Sequence, residues 1–152
     1  GHYNTWSQTA SGDYLGDTAA GQMGVLAAFF AARPWWTMAP DPGAVASDAG
    51  TGSSRKVALT AADGTRCWVY YPVNASAGIR MDRITAAATV AASWLDPRNG
   101  STQAAGTFDR GQVATLQPPA GGEDAVLVLG PGSGTLPPHP EKKTHPPRKF
   151  ST

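Results

Sequence analysis

The stretch Lys56–Tyr71, KVALTAADGTRCWVYY, decides the class of fold. Lys56–Thr60 alternates around Val57 and Leu59 as a half-buried strand does, and Thr65–Tyr71 alternates again. Between them, Asp63-Gly64 predicts a hairpin, because this pair tolerates the positive φ angles that tight turns require. The second strand sets Cys67, Val69 and Tyr71 on one face and Arg66, Trp68 and Tyr70 on the other. Bulk on both faces predicts a central strand, or one whose outer face meets another element.

Further strands follow on the C-terminal side. Ile79–Ile84 alternates with Ile79, Met81 and Arg83 opposite Arg80, Asp82 and Ile84, which leaves its register open. Val90–Leu95 leads into Asp96-Pro97-Arg98-Asn99-Gly100, a turn that closes on Asn-Gly. Gly111–Leu116 and Ala125–Leu129 (AVLVL) supply the last strands, the latter apolar enough for burial on both faces. Asp41-Pro42-Gly43 and Ser47–Ser54 are turn and loop material. About seven short strands punctuated by Gly and Pro predict a mainly β fold, an antiparallel β-sandwich over residues 37–130. At its Asp-Pro-Arg-Asn-Gly turn the Asp96 carboxylate is expected to accept backbone amides while Arg98 reaches to a carboxylate or carbonyl. Asp96, Arg98 and Gly100 would then form a structural corner.

The N-terminal 36 residues read differently. Gly21–Phe30 (GQMGVLAAFF) places Met23, Leu26, Ala27 and Phe30 at helical spacing, with Asp17 or Thr18 as the N-cap. One amphipathic helix is expected, stopped by Arg33-Pro34 because proline lacks an amide donor and biases the preceding residue away from helix. Trp35 and Trp36 follow at once. Gly1–Gly16 carries His2, Tyr3, Trp6 and Tyr14 without a period, a composition that needs a partner surface. Residues 131–152 hold 6 of the 13 prolines and, as large apolar groups, only Leu136 and Phe150. They read as a disordered or extended tail, lacking the apolar area to offset a backbone ordering cost of about 1–2 kcal/mol per residue.

The net charge of +1 comes from unlike parts. The tail carries Lys142, Lys143, Arg148 and Lys149 against Glu141, leaving 8 basic and 10 acidic groups in residues 1–130. A body with a single lysine and scattered arginines has no stripe to neutralise phosphates, which disfavours nucleic-acid binding. Cys67, the one cysteine, excludes an intrachain disulfide and a Cys-rich zinc site. The longest apolar run, Val25–Ala32, falls far short of the roughly 20 residues that span a bilayer, so no membrane partner is expected. The N-terminus shows neither a basic region nor a long apolar core, so no signal peptide is visible.

Chemistry is sparse. Asp41, Asp48, Asp63, Asp96 and Asp109 sit beside turn formers, where aspartate caps nearby amides, and Glu123-Asp124 is too small a set for a cation site. An enzymatic reading would need two carboxylates converging in one cleft, with Asp96, Glu123 and Asp124 as the set to watch. His2 lies near the N-terminus and His139 and His145 in the tail, so no metal pair or catalytic base is placed in the body. No Gly-x-Ser-x-Gly elbow and no phosphate loop is present, Cys67 reads as an inert buried thiol, and no cofactor or metal is expected. Asn74-Ala75-Ser76 and Asn99-Gly100-Ser101 match the N-glycosylation pattern, which matters only for a secreted eukaryotic chain.

The aromatic residues carry more information. Trp6, Trp35, Trp36, Trp68 and Trp94, with Tyr70, suit either of two roles. Trp35 and Trp36 at a helix–sandwich junction favour an inter-element core, while exposed rings would serve as platforms for sugar rings or an extended peptide. The first reading predicts buried tryptophans in a full-length protein, the second a flat or grooved row of exposed ones.

Several segments together match one known pattern: Arg33–Asp41 (RPWWTMAPD), Trp68–Pro72 (WVYYP), Trp94–Gly100 (WLDPRNG), Pro118-Pro119 and Asp124–Leu129 (DAVLVL). Over residues 33–130 the chain resembles the C-terminal β-sandwich named "putative collagen-binding domain", which commonly follows the barrel of apiosidase-like glycoside hydrolases. Its WLDPRNG is similar to that family's WFDPRTG. Gly1–Phe30 resembles the final loop and helix of such a barrel, with Gly1-His2-Tyr3-Asn4 where the family usually has Gly-His-Thr-Tyr-Gly. The resemblance implies an extracellular, noncatalytic accessory domain, with the catalytic carboxylates on earlier strands absent from this chain. It implies a barrel upstream as partner, packed on the helix, Trp35 and Trp36, with polysaccharide or a matrix protein as further ligands. An independent carbohydrate- or peptide-binding module is the alternative.

Overall fold

The computed structural model describes residues 18–132. The aromatic-rich segment with His2, Tyr3, Trp6 and Tyr14, the N-cap candidate Asp17, and the proline-rich tail from residue 133 with His139 and His145 lie outside the described residues. Helix α1 spans Thr18–Ala31. Nine strands follow: β1 Met38–Pro40, β2 Val45–Ser47, β3 Val57–Ala61, β4 Cys67–Tyr71, β5 Ala77–Arg80, β6 Thr89–Leu95, β7 Thr102–Asp109, β8 Val113–Leu116 and β9 Ala125–Pro131. They form two antiparallel sheets, six-stranded in the order β1-β3-β4-β9-β6-β7 and three-stranded in the order β2-β5-β8.

The hairpin at residues 56–71 is the frame of the larger sheet, pairing Val57 with Tyr70 through Thr60 with Cys67. Its turn is longer than a two-residue Asp-Gly turn. Ala61 accepts from the Gly64 amide at 3.0 Å, and within the loop only Gly64 takes a positive φ, +67°. Asp63 instead holds the exit, its Oδ1 accepting the Thr65 amide at 3.0 Å and the Thr65 hydroxyl at 2.7 Å. Both expectations for β4 are met at once: it is central, between β3 and β9, and both faces are covered.

The alternation of β4, β6 and β9 sorts side chains into two cores. Val69, Tyr71, Trp94, Leu127 and Leu129 point between the sheets, where Ile79, Met81 and Leu116 meet them. Trp68, Leu95 and Val128 point outward, and Phe29 of α1 buries them together with Leu59 and Val126. The molecule therefore has three layers: helix, six-stranded sheet, three-stranded sheet.

Three departures from the sequence reading have local causes. The strand expected over residues 79–84 ends at Arg80, and a single 3-10 turn over Met81–Arg83 replaces the alternation. That turn lets Ile79, Met81 and Ile84 all be buried, which no strand register allows. Strand β7 was not expected because TQAAGTFD is an edge strand, largely exposed and without apolar alternation. Ala105 is its unpaired extra residue, since Ala92 faces Gly106 and Ser93 faces Ala104. Strands β1 and β2 are three residues each, too short for any period to show.

Candidate functional site

Helix α1 has the sequence TAAGQMGVLAAFFA, with no charged residue anywhere on its surface. A helix apolar all round finds partners on more than one side. One side is settled: Phe29 is buried on the sheet, its ring 4.7 Å from Trp68 at 60°. The stripe of Met23, Leu26, Ala27 and Phe30, read from its helical spacing, is not the side docked on the sheet. Met23 is 63% exposed and Leu26 42%, and Ala27 is exposed as well, while Phe30 stands at the boundary between the two sides.

The end of the helix is tied down residue by residue. Arg33 donates from Nη1 to the Phe29 carbonyl at 3.1 Å and lays its guanidinium 4.3 Å from the Phe29 ring centre. Partial burial lowers its pKa from the usual value. Pro34 then ends the helical path, and a 3-10 turn over Trp35–Thr37 is closed by the Thr37 hydroxyl on the Pro34 carbonyl at 2.8 Å. Trp35 meets Phe30 edge-on at 5.8 Å, and Trp36 meets Trp35 at 6.4 Å. The result is an aromatic ladder from the buried Trp68 through Phe29 and Phe30 to Trp35, 49% exposed, and Trp36, 69% exposed.

Trp35 and Trp36 thus lie outside the core between the helix and the sheet. Phe29 and Trp68 fill that core, because the 3-10 turn carries the tryptophan pair beyond the sheet. Trp94 stands apart from the ladder, inside the sandwich and 5.0 Å from Tyr71 in a T-shaped contact. Tyr70 lies on the outer face of the same sheet, its hydroxyl donating to Asp124 Oδ2 at 2.9 Å. Burial and this carboxylate raise the pKa of Tyr70 above the usual tyrosine value.

The Asp96 corner is built in detail. Asp96 Oδ1 accepts the Arg98 amide at 2.9 Å and its Nε at 3.0 Å, Oδ2 accepts Arg98 Nη2 at 2.6 Å, and Nη1 reaches the Gly121 carbonyl at 3.3 Å. Gly100, at φ +76°, returns its amide to the Asp96 carbonyl at 2.8 Å. The Arg98 hydrogen bonds lower the pKa of Asp96 and raise that of Arg98. Both residues line a cleft of about 180 Å³ that also contains Asp124. Across the Arg98 side chain, a shallow groove of about 980 Å³ runs between α1 and the sheet, lined by Met23, Leu26, Tyr70, Pro97, Glu123 and Asp124 among others.

Asp96 and Asp124 thus share one cleft, while Glu123 lines the groove instead. Asp96 is held ionised by Arg98 and so is not poised as a general acid, and Asp124 accepts the Tyr70 hydroxyl. Among the described residues no group of three or more His, Cys, Asp or Glu could hold a metal ion, and no helix is long and apolar enough to cross a membrane. The sequon asparagines are both engaged: Asn74 donates to the Pro119 carbonyl at 2.9 Å, and Asn99 Oδ1 accepts the Ser101 amide at 2.8 Å. The sequence reading assigned the helix to an interface but not which of its sides docks on the sheet, since a helix without charge all round offers no period to choose by. The Tyr70–Asp124 bond joins residues 54 positions apart and left no local signal.

The family described as "Putative collagen-binding domain of a collagenase" matches residues 39–130. Among solved structures, a glycoside hydrolase family 5 protein from Bacteroides vulgatus ATCC 8482 is similar in fold, with a TM-score of 0.72 at 24% identity over 80% of this chain and 26% of its own. A second, described as "Glycoside hydrolase", has a TM-score of 0.72 at 25% identity over 81% of this chain and 27% of its own. The chain spans about a quarter of the length of these structures. No curated protein matches it. With a β-sandwich matched over more than half of its residues, the chain belongs to the "putative collagen-binding domain" family.

Proposed function

We propose that this chain is a noncatalytic accessory domain of a secreted, apiosidase-like glycoside hydrolase, and that it packs on the catalytic barrel through the outward side of α1 and the Trp35–Trp36 pair. One observation carries the reading: a charge-free helix docks one side on the sheet and leaves Met23 and Leu26 open, next to an aromatic ladder that ends in two exposed tryptophans. Apolar surface of this kind marks an interface. The likeness to about a quarter of two glycoside hydrolases supports a covalently joined catalytic domain as the partner. The engagement of Asp96 and Asp124 within the sandwich supports the noncatalytic role. Polysaccharide or a matrix protein is a further ligand of the same domain.

An independent carbohydrate- or peptide-binding module is the second reading, favoured by the exposure of the same two tryptophans. Binding of the chain to immobilised collagen, pectin-type and arabinogalactan-type polysaccharides, beside a Trp35→Ala, Trp36→Ala double variant, separates the two. The docking role predicts that any binding survives the double substitution. Saturable binding lost in a still-folded variant would reassign the pair to a recognition site.

A further inference from the structure

The groove between α1 and the sheet shares Met23 and Leu26 with the docking surface, but its sheet wall and its rim are not used by that role. Its walls include Met23, Leu26, Tyr70, Pro72 and Pro97, and its rim carries Glu123 and Asp124 with Arg98. Of the other acids on the described surface, Asp63 is matched by Arg66, Asp82 by Arg80 and Arg83, Asp41 by Arg83 and Asp96 by Arg98, while Asp48 and Asp109 stand singly and far apart in sequence. Glu123 and Asp124 are in no ion pair among the described residues, and Arg98 beside them is already committed to Asp96. The groove is therefore an apolar, aromatic and proline-lined channel whose rim is net acidic, Glu123 and Asp124 sharing with Asp96 the single cation Arg98.

The chain carries a segment of complementary chemistry. The 20 residues after Gly132 hold Lys142, Lys143, Arg148 and Lys149 against Glu141. They also hold Pro137-Pro138-His139-Pro140 and Pro146-Pro147, the second run directly followed by Arg148-Lys149. Such runs favour the polyproline II conformation, which aromatic-lined grooves receive at low entropic cost. We propose that the groove binds the chain's own proline-rich basic tail, residues 133–152, prolines against Tyr70, Pro72 and Pro97 and lysines against Glu123 and Asp124.

Reach permits this. Gly132 follows the far end of β9 from Asp124, a separation of about 25 Å for a seven-residue strand, whereas 20 residues of polyproline II extend about 60 Å. Being joined to the groove, the tail would act at an effective concentration in the millimolar range. The N-terminal segment is the poorer occupant, since residues 1–17 hold Asp13 and Asp17 and no Lys or Arg. The tail and a docked catalytic domain would compete for Met23 and Leu26, so the proposal is tested without a catalytic domain.

Carbodiimide, which joins lysine amines to carboxylates in direct contact, is applied to the full 152-residue chain and the products are mapped by mass spectrometry. Links from Lys142, Lys143 and Lys149 are expected on Glu123 and Asp124 about fivefold above those on Asp63 and Asp109, unchanged by dilution as an intrachain contact must be. They should fall in about 1 M sodium chloride, where the Debye length is about 3 Å. A Leu26→Arg variant, which leaves both acceptors in place, should reduce them as well. Links spread evenly over the exposed carboxylates overturn the proposal. So do links that grow with concentration, which place the tail on a second copy, and links indifferent to Leu26→Arg, which leave the groove empty.

Discussion

Asp96 shows how one carboxylate organises a corner. It accepts from the Arg98 backbone amide and from two guanidinium nitrogens, and through Arg98 it reaches the loop before β9. Arg98 is exposed, so its ion pair contributes little by itself, and the weight falls on the amide bond and the fixed turn. Asp96→Ala is expected to lower stability by about 1–2 kcal/mol without altering any ligand affinity. The sign with pH follows from the lowered pKa of Asp96. Its contribution is present above the unfolded value of about 3.9 and is lost as the pH falls through the lower folded value. Denaturant unfolding at pH 7 and near pH 3 checks this: the wild-type advantage should shrink in acid, and an affinity loss at unchanged stability would contradict a structural role.

Elements differ in how plainly their residues announce them. Strands β3 and β4 were legible from their alternation about the hairpin turn, β6 from the Asp96–Gly100 turn that ends it, and β9 from its continuous apolar run. Strand β7 was not, since an edge exposed along most of its length is under no apolar constraint. The existence and end of α1 were legible from its spacing and from Pro34, but its docked side was not. With apolar residues all round, period alone cannot choose between the Phe29 side and the Met23–Leu26 side. Of the candidate site, Trp35 and Trp36 stood out as a pair, whereas their exposure depends on a 3-10 turn that no pattern specified. Two substitutions probe the helix. Phe29→Ala should cost about 3–5 kcal/mol and expose Trp68, read from thermal unfolding and a red shift of tryptophan emission. Gly24 has no neighbouring atom within 4 Å of an added Cβ, so Gly24→Ala should stabilise the isolated chain by about 1 kcal/mol. Within an intact hydrolase that closes on this side, the gain should vanish or reverse.

Both cores of the described residues draw on β4, so the layers are expected to open together. Cys67 sits in that strand with no exposed surface, and burial raises its thiol pKa to about 11. Alkylation at pH 8 is expected to proceed only through global opening, about a thousandfold or more slower than in denatured chain, and to track denaturant stability. Labelling at an unfolded-like rate in the native protein would show that the layers open separately. The sequence reading of a sandwich captured two of the three layers and, from the bulk on both faces of β4, an outer face that meets another element. The third, α1, belongs by packing to the sheet although it precedes the sandwich in the chain, and only the outward-facing Trp68, Leu95 and Val128 reveal that. The short joint from Ala31 to Met38 is pinned at Arg33 and Thr37, leaving no slack between helix and sheet. A catalytic domain seated on α1 would therefore inherit the orientation of the sandwich. The pair would work as a ruler, holding whatever the sandwich grips at a set distance from the site of cleavage, and not as a leash that merely keeps it nearby.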